Sequence, residues 1–284
     1  MTNYLIIDKI IKNTLKEDVT SEDITTNSIV PEDAVATVDL IAKEKGIMAG
    51  LFTFKRVFEI LGNVEVDFFK TDGQQVIPGD KIALIRGNAR SILTGERTAL
   101  NLLQRLSGIA TLTSLYAEKL QGTKAKVVDT RKTTPGLRVL EKYAVRVGGG
   151  ANHRFNLSDG ILIKDNHIGA AGSITNAVNS ARQNTSFVNK IEVEVEDFDM
   201  LDEALAVGAD IIMLDNMNPE MMKEAVKKID GRAITEASGN VSLDTIEEIG
   251  KTGVDYISVG KLTHSVSALD ISMKNMKLKA PKAL

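Results

Sequence analysis

The chain of 284 residues contains no cysteine. This absence excludes disulfide bonds, thiolate catalysis, iron–sulfur ligation and zinc sites built from cysteine. No apolar stretch reaches the roughly 18 residues that a membrane helix needs, and polar residues recur too regularly in Met1 to Leu15 for a signal peptide. We therefore expect a cytoplasmic protein that does not interact with membranes.

The glycine fingerprints of nucleotide-binding folds are also missing. Neither G-x-G-x-x-G nor the G-K-[ST] of a P-loop occurs, and no Ser-His-acid spacing is present. A net charge of -3 argues against a nucleic-acid partner. The charge is nevertheless uneven, because residues 129–167 hold seven Lys or Arg against four acids, whereas residues 191–215 hold nine acids and no base. This pattern favours a site that uses both signs of charge.

Short apolar runs in the second half of the chain end in charged or small polar residues: VVDTRK, ILIKDNH, IEVEVE, DIIMLDN, ITEASGN and YISVGK. From the second run onward they recur about every 20 to 30 residues, the length of one strand and one return helix. Such units build parallel sheets and barrels, in which the chemistry lies at the carboxyl ends of the strands. About six strands are predicted, two fewer than a closed eightfold barrel needs, so we expect an incomplete or seven-strand α/β barrel.

The first part of the chain has a different pattern. An amphipathic helix is predicted for residues 3–16 and a short one for residues 51–61. Turn-forming dipeptides between residues 71 and 88 indicate antiparallel hairpins. A longer helix follows, which Gly108 is expected to break or bend. This pattern is typical of an α+β sandwich.

Two domains follow from this change of pattern. We expect the sandwich domain over residues 1–110 and the barrel domain over residues 111–265. Residues 268–284 are predicted to form a short helix and a basic tail, and residues 266–284 are the segment that could pack on the first domain.

Positive charge clusters after the first strand of the array. Arg131 and Lys132 are adjacent on a loop in which a Pro-Gly pair prevents an immediate helix. Arginine binds carboxylate or phosphate as a fork and lysine as a point charge, although a solvated loop is the alternative. A second cluster, His153-Arg154, follows three glycines that permit close approach of the backbone to a ligand. Alone, His153 would more often be structural, but together the clusters favour an anionic ligand.

The later strand ends add other groups. Lys164 follows the second strand, and alternation in IEVEVE sends Glu192, Glu194 and Glu196 to one face, where buried carboxylates require a cation or a metal. Asp215 ends the next strand, so two carboxylates could hold Mg²⁺ near phosphate oxygens. Glycines in EASGN and SVGK expose backbone N–H groups where barrels commonly bind phosphate.

These residues together predict a barrel enzyme with a cationic wall, an acidic wall and a phosphate cradle. Its ligand would be a phosphorylated anion bound with magnesium. From the residues alone, an aldolase, an isomerase and a group-transfer enzyme all remain open.

Several long motifs are similar to those of the quinolinate phosphoribosyltransferases. They are GERTALNLLQRLSGIAT, DTRKTTPGLRVLEKYAVRVGGGANHR, LSDGILIKDNHI, IEVEVE, LDNM, EASGN and ISVGKLTHS. The resemblance covers nearly the whole chain. It implies a sandwich domain with an open seven-strand α/β barrel. It also implies a magnesium-dependent reaction of de novo NAD biosynthesis, in which quinolinate and phosphoribosyl pyrophosphate give nicotinate mononucleotide, pyrophosphate and carbon dioxide.

The resemblance also implies roles for individual residues. The carboxylates of quinolinate would be held by Arg131, His153 and Arg154, with Arg97 supplied by the partner subunit of a homodimer. The catalytic residues would be Lys132 and Lys164, which meet pyrophosphate and phosphate charge, and Glu194 and Asp215, which lie near ribose and magnesium. The 5-phosphate would be cradled by Ser238, Gly239 and Gly260, with Glu236 and His264 nearby.

Two alternatives stay open beside this activity. One is a related phosphoribosyltransferase that acts on nicotinate or another base without decarboxylation. The other is a catalytically silent relative that binds phosphoribosyl ligands. The three arginines at positions 97, 131 and 154 exceed what a single carboxylate needs, which favours quinolinate. An assembly larger than a dimer is also compatible with the sequence.

Overall fold

The computed structural model describes residues 4–278. Its helices are α1 (Tyr4–Asp18), α2 (Ile24–Ile29), α3 (Leu51–Leu61), α4 (Ala89–Lys119), α5 (Arg138–Val147), α6 (Asp165–Ala171), α7 (Ile174–Asn184), α8 (Phe198–Ala206), α9 (Pro219–Ile229), α10 (Ile246–Lys251) and α11 (Lys261–His264). Its strands are β1 (Val35–Ala42), β2 (Gly46–Ile47), β3 (Val64–Phe68), β4 (Gln75–Val76), β5 (Lys81–Asn88), β6 (Lys126–Val128), β7 (Ile161–Ile163), β8 (Ile191–Val195), β9 (Ile211–Asp215), β10 (Ile234–Ser238), β11 (Tyr256–Ser258) and β12 (Ile271–Leu278). None of these helices is both long and apolar enough to cross a membrane.

The described chain forms two compact units. The first contains the described residues through Leu112, the segment Thr134–Gly148 and the described residues from Ser265 onward. The second contains Thr113–Thr133 and Gly149–His264. This division differs from the expected boundaries, because α5 was expected in the barrel domain and belongs to the first unit, and because α4 continues from one unit into the other.

The first unit is built on an antiparallel sheet with the strand order β12-β1-β5-β3. Every second residue of β1 is buried, as expected for a strand that covers a core with one face. Phe54 and Phe58 on α3 and Ile85 on β5 are fully buried and contribute to this core. The antiparallel pairing expected for this part of the chain is confirmed.

The helix predicted near the C-terminal end is wrong, because its described residues form strand β12. This strand pairs antiparallel with β1, from Ile271 opposite Ala42 to Leu278 opposite Ala36. Ile271 and Met273 are buried, with the period of two that a strand requires. Pairing with an open edge of β1 therefore outweighs the helix propensity of the Lys, Met and Leu residues in this segment.

Helix α4 is continuous through Gly108, so the predicted break is also wrong. A Cβ at this position would overlap the carbonyl oxygen of Ser267 and approach Cα of Ala268 to 3.2 Å. The glycine therefore permits close packing of a neighbouring segment against the helix. It does not interrupt the helix.

The second unit contains a parallel sheet with the order β6-β11-β10-β9-β8-β7. Its first strand in sequence pairs with its last, as in a barrel, and the strands between them follow in chain order. In β8, Ile191, Val193 and Val195 alternate with Glu192 and Glu194, and all five are buried. The glutamates face the interior of the barrel, where His153 and Lys164 contact them.

The barrel is open between β6 and β7, its first two strands in chain order. Residue Ala151 forms a parallel bridge with Val128 of β6, and this single bridge takes the place of a seventh strand. The described sheet therefore has six full strands, and the open α/β barrel expected from the sequence is present with its seventh member reduced to one residue. Past the bridge, the Arg154 side chain donates from Nη1 to the carbonyl oxygen of Gly160, 2.9 Å away, next to β7.

We predict that Gly108→Ala lowers the free energy of unfolding by about 1–3 kcal/mol, because the added methyl group forces backbone to move in a packed region. Gly169→Ala in α6 is the matched control, since its Cβ would meet no atom within 4 Å. That variant is expected to be neutral or more stable by up to about 1 kcal/mol. Chemical denaturation of both variants measures the difference, and equal stabilities would contradict the packing role of Gly108.

Candidate active site

Most of the predicted site residues lie together at the carboxyl end of the barrel, because parallel strands end at the same edge of a sheet. A pocket of 180 Å³ is located there. Of the predicted residues, those that line it are Arg131, Lys132, His153, Arg154, Lys164, Glu236 and Ser238.

Other predicted residues adjoin this pocket. Glu194 contacts Lys164, and Asp215 is paired with Ser238 across neighbouring strands. A Cβ on Gly260 would lie 3.1 Å from both Lys132 and His264. Arg97 lies on α4 in the first unit, so its contribution to a site stays a prediction.

Lys164 and Glu194 form an ion pair at the inner face of the barrel. The glutamate is buried, whereas 42% of the lysine side chain is exposed. A buried carboxylate is costly unless a cation neutralises it. The pair therefore keeps one negative charge inside the barrel while the lysine remains accessible to a ligand.

Two guanidinium groups repel each other in the pocket. Burial lowers the pKa of Arg154, and the positive charge of Arg131 lowers it further, while Glu192 acts in the opposite direction. The arrangement is unfavourable for two cations alone and favourable once an anion lies between them. Arg131 is exposed and Arg154 is partly buried, so an anion can reach both.

Both ring nitrogens of His153 make polar contacts that orient the imidazole ring. Its Nε2 lies 3.1 Å from Oε2 of Glu192 and 3.5 Å from Oε2 of Glu236. Its Nδ1 accepts a hydrogen bond from the backbone N–H of Arg154 at 2.7 Å. Since Nδ1 is an acceptor, Nε2 carries the proton and donates it toward the two carboxylates.

This assignment bears on metal binding. Among the described residues, His153, Glu192 and Glu236 are the group of three that could surround a metal ion. A metal at Nε2 would need the lone pair of that nitrogen, and the hydrogen bond accepted by Nδ1 leaves the proton there. The three side chains therefore form a hydrogen-bonded cluster that does not have the protonation of a metal centre.

Glu236 carries a proton in this cluster over much of the pH range. Its side chain is buried, and one of its oxygens, like one of Glu192, has no hydrogen-bond partner in the protein. Burial and then the charge of Glu192 raise the pKa of Glu236 to about 8, although His153 acts in the opposite direction. Two carboxylates at this depth cannot both ionise cheaply, so the cluster retains a proton.

The loop after β10 requires glycine because it approaches the loop after β9 closely. Gly239 has φ of +92°, and a Cβ there would overlap the side-chain amide of Asn216. The Asn216 amide donates to Oδ2 of Asp215 at 2.6 Å. A close approach of two loops thus orients Asp215 and leaves the backbone beside Ser238 uncovered by a side chain.

Models of two protein-family domains together match almost the whole chain. The N-terminal domain of quinolinate phosphoribosyl transferase matches residues 23–107, and its C-terminal domain matches residues 109–274. The chain belongs to the quinolinate phosphoribosyl transferase family.

Individual members of the family are similar over their full lengths. A probable nicotinate-nucleotide pyrophosphorylase [carboxylating] of Bacillus subtilis is 48% identical, with 95% of this chain and 94% of the relative covered. A protein of the same name from Methanocaldococcus jannaschii is 46% identical over 93% of this chain and 95% of the relative. The solved structure of NadC from Streptococcus pyogenes is 49% identical with a TM-score of 0.95 over 99% of both chains.

The family predicted from the motifs is thus confirmed. Sequence reasoning missed Glu192 as a member of the site, although its alternation with Glu194 on β8 placed it on the same face. It also gave no role to Asp129, which precedes the Arg131-Lys132 pair of the family motif DTRK. Glu196 was expected on the buried face and is exposed, because β8 ends at Val195.

We predict that stability falls as the pH rises from 5 to 8 through ionisation of Glu236. The folded state keeps this proton up to about pH 8, whereas the unfolded chain releases it near the ordinary glutamate pKa of 4.5. The unfolded state therefore binds fewer protons in this window. Glu236→Gln has the same shape and no proton to lose. Its stability relative to wild type should therefore increase between pH 5 and pH 8.

Thermal unfolding at both pH values tests this, with Glu196→Gln at an exposed position as the control that should follow wild type. A constant difference between Glu236→Gln and wild type at both pH values would contradict the prediction.

Proposed function

We propose that the chain transfers the phosphoribosyl group of phosphoribosyl pyrophosphate to quinolinate with loss of carbon dioxide, which gives nicotinate mononucleotide and pyrophosphate. The observation that carries this proposal is the pocket at the mouth of the barrel that Arg131, Arg154 and Lys164 line together, beside buried acids. The charge of Arg131 also lowers the pKa of Arg154. A dicarboxylate relieves the repulsion between these two cations, and the acids suit a cationic transition state. The printed names of the relatives support the same reaction.

Quinolinate would bind at the cationic side of the pocket. Arg131 and Arg154 can each hold one carboxylate in a fork, and Lys164 adds a point charge. His153 contributes through its ring, which the contacts to Glu192 and Arg154 orient. Held in this way, the pyridine nitrogen would face the anomeric carbon of the second substrate.

The acidic side would stabilise the transferring ribose. As pyrophosphate departs, positive charge develops at the anomeric carbon, and preorganised carboxylates lower the energy of that state. Glu194 is fixed for this task by its ion pair with Lys164, and Asp215 by its hydrogen bond with Asn216. Lys132 would take up charge on the leaving pyrophosphate. The 5-phosphate would lie against the small residues Ser238, Gly239 and Gly260, with Glu236 and His264 nearby.

Magnesium fits the donors available at this position. Glu194 and Asp215 lie on adjacent strands, with Met213, two residues before Asp215, paired with Glu194. Two carboxylates that leave room for water and phosphate oxygens are the usual magnesium arrangement. When bound, the ion would neutralise charge on pyrophosphate.

Decarboxylation would follow from the bond to the pyridine nitrogen. That bond gives the ring a positive charge, so the electron pair released by the adjacent carboxylate is stabilised in the ring as carbon dioxide leaves. A proton from water then adds to that ring carbon and gives nicotinate mononucleotide. The arginines must hold the ring without stabilising that carboxylate too strongly in the ground state.

We also propose a homodimer with shared sites, in which Arg97 of each subunit completes the quinolinate site of its partner. The basis is the position of Arg97 in the family motif GERT, in which the family resemblance assigns this arginine to the site of the partner. Cytoplasmic location is part of the same proposal, and cell fractionation tests it.

We predict that the purified protein forms nicotinate mononucleotide and carbon dioxide from quinolinate, phosphoribosyl pyrophosphate and magnesium. The rate with nicotinate in place of quinolinate should be lower by about 10²-fold or more, because nicotinate leaves one cationic group of the pocket unpaired. Chromatographic product analysis and release of labelled carbon dioxide measure both reactions. Failure to form product from quinolinate would refute the function, and preference for nicotinate would favour the transferase that does not decarboxylate.

We predict that Arg97→Ala and Arg131→Ala each lower kcat/KM on the order of 10²-fold, since each removes a charge that meets the substrate. Mixing the two variants under conditions of subunit exchange should restore about a quarter of wild-type activity, because half of the dimers contain one site with both arginines.

Arg131→Ala mixed with Arg154→Ala is the control for this experiment. Both substitutions then lie in the barrel, so no mixed dimer contains an intact site and no activity should return. Equal recovery in the two mixtures, or none in either after verified exchange, would contradict the shared site.

A further inference from the structure

Asp129 connects the two cationic segments of the site. It follows β6 directly, two residues before Arg131, and its side chain is fully buried. Oδ1 accepts the backbone N–H of His153 at 3.0 Å, and Oδ2 accepts the side-chain amide of Asn152 at 2.5 Å. One carboxylate thus fixes the segment that precedes Arg154.

These bonds continue a strand pairing that the backbone does not complete. Ala151 donates to the carbonyl of Val127 at 2.9 Å and accepts from the N–H of Asp129 at 3.3 Å. The described ladder stops at this bridge. The Asp129 side chain supplies the next two hydrogen bonds, so residues 151–153 keep the alignment of a strand beside β6 without forming one.

Asp129 is linked in this way to both cations. It lies two residues before Arg131 in the chain, and the segment that it holds directly precedes Arg154. Displacement of a binding group by about 1 Å can cost about two orders of magnitude in rate. A ring with two adjacent carboxylates needs its two cations at a set separation, whereas the contacts proposed for phosphoribosyl pyrophosphate do not include this pair.

We infer that Asp129 is a positioning residue, which sets the separation of Arg131 and Arg154 and thereby the fit of a dicarboxylate substrate. The inference rests on the proposed function. Because Asp129 acts through Asn152 and His153, its loss should affect binding of quinolinate and spare binding of phosphoribosyl pyrophosphate.

A charge exchange between Asp129 and Asn152 tests the inference. Asn152→Asp places two carboxylates in contact and should raise KM for quinolinate about tenfold or more, with KM for phosphoribosyl pyrophosphate changed less than about twofold. Adding Asp129→Asn restores a donor opposite an acceptor, so the double variant should return to within about threefold of wild type. If Asn152→Asp does not fold, Asp129→Asn alone carries the test by the same comparison of KM values.

Asp255→Asn is the matched control. Asp255 also ties neighbouring strands, since it accepts from the N–H and the hydroxyl of Thr235 at 2.9 and 2.7 Å, but it lies at the amino ends of the strands. Its substitution should lower the melting temperature and leave both KM values unchanged.

A folded Asn152→Asp variant with wild-type KM for quinolinate would overturn the inference. Equal increases in both KM values, or no recovery in the double variant, would overturn it as well. Inactivity of the wild-type protein would instead refute the proposed function.

Discussion

Carboxylates buried inside the barrel are the constraint on which the rest of the site depends. Glu192, Glu194 and Glu236 are each less than one-tenth exposed, and each would cost several kcal/mol if it were charged and unpaired. The chain meets this cost in two ways: Lys164 neutralises Glu194, while Glu192 and Glu236 share His153 and retain a proton. The acids thus determine where the nearby cation and imidazole must be.

The same constraint explains why acids and cations occur side by side without cancelling one another. Lys164 remains partly exposed, so it can neutralise Glu194 and still meet an anion. Arg131 and Arg154 line the same pocket, where the charge of Arg131 lowers the pKa of Arg154 and Glu192 acts in the opposite direction. The barrel therefore presents positive charge to a dicarboxylate and retains negative charge for the ribose. A binding site that attracts an anion and then stabilises a cation needs both at short range.

Much of this arrangement could be predicted from the sequence because it depends on strand ends. Arg131, Lys164, Asp215 and Ser238 each come at or just after the end of an apolar run, and parallel strands bring such positions together. The contact between His153 and the two glutamates could not be predicted in this way. It joins β8 to β10 across the barrel interior, and it depends on curvature that no local pattern encodes.

Other failures have equally physical causes. The pattern of α5 matches that of the barrel helices, but its place is set by nonlocal contacts in the first unit, such as the ion pair of Arg105 with the buried Glu141. Strand β12 contains good helix formers and becomes a strand because β1 offers it an edge. That pairing has a consequence for biosynthesis. During translation, β1 emerges early, and one of its hydrogen-bonding edges stays unpaired until Ile271–Leu278 has left the ribosome. The nascent chain therefore carries an exposed strand edge, a known route to aggregation, through most of its own synthesis.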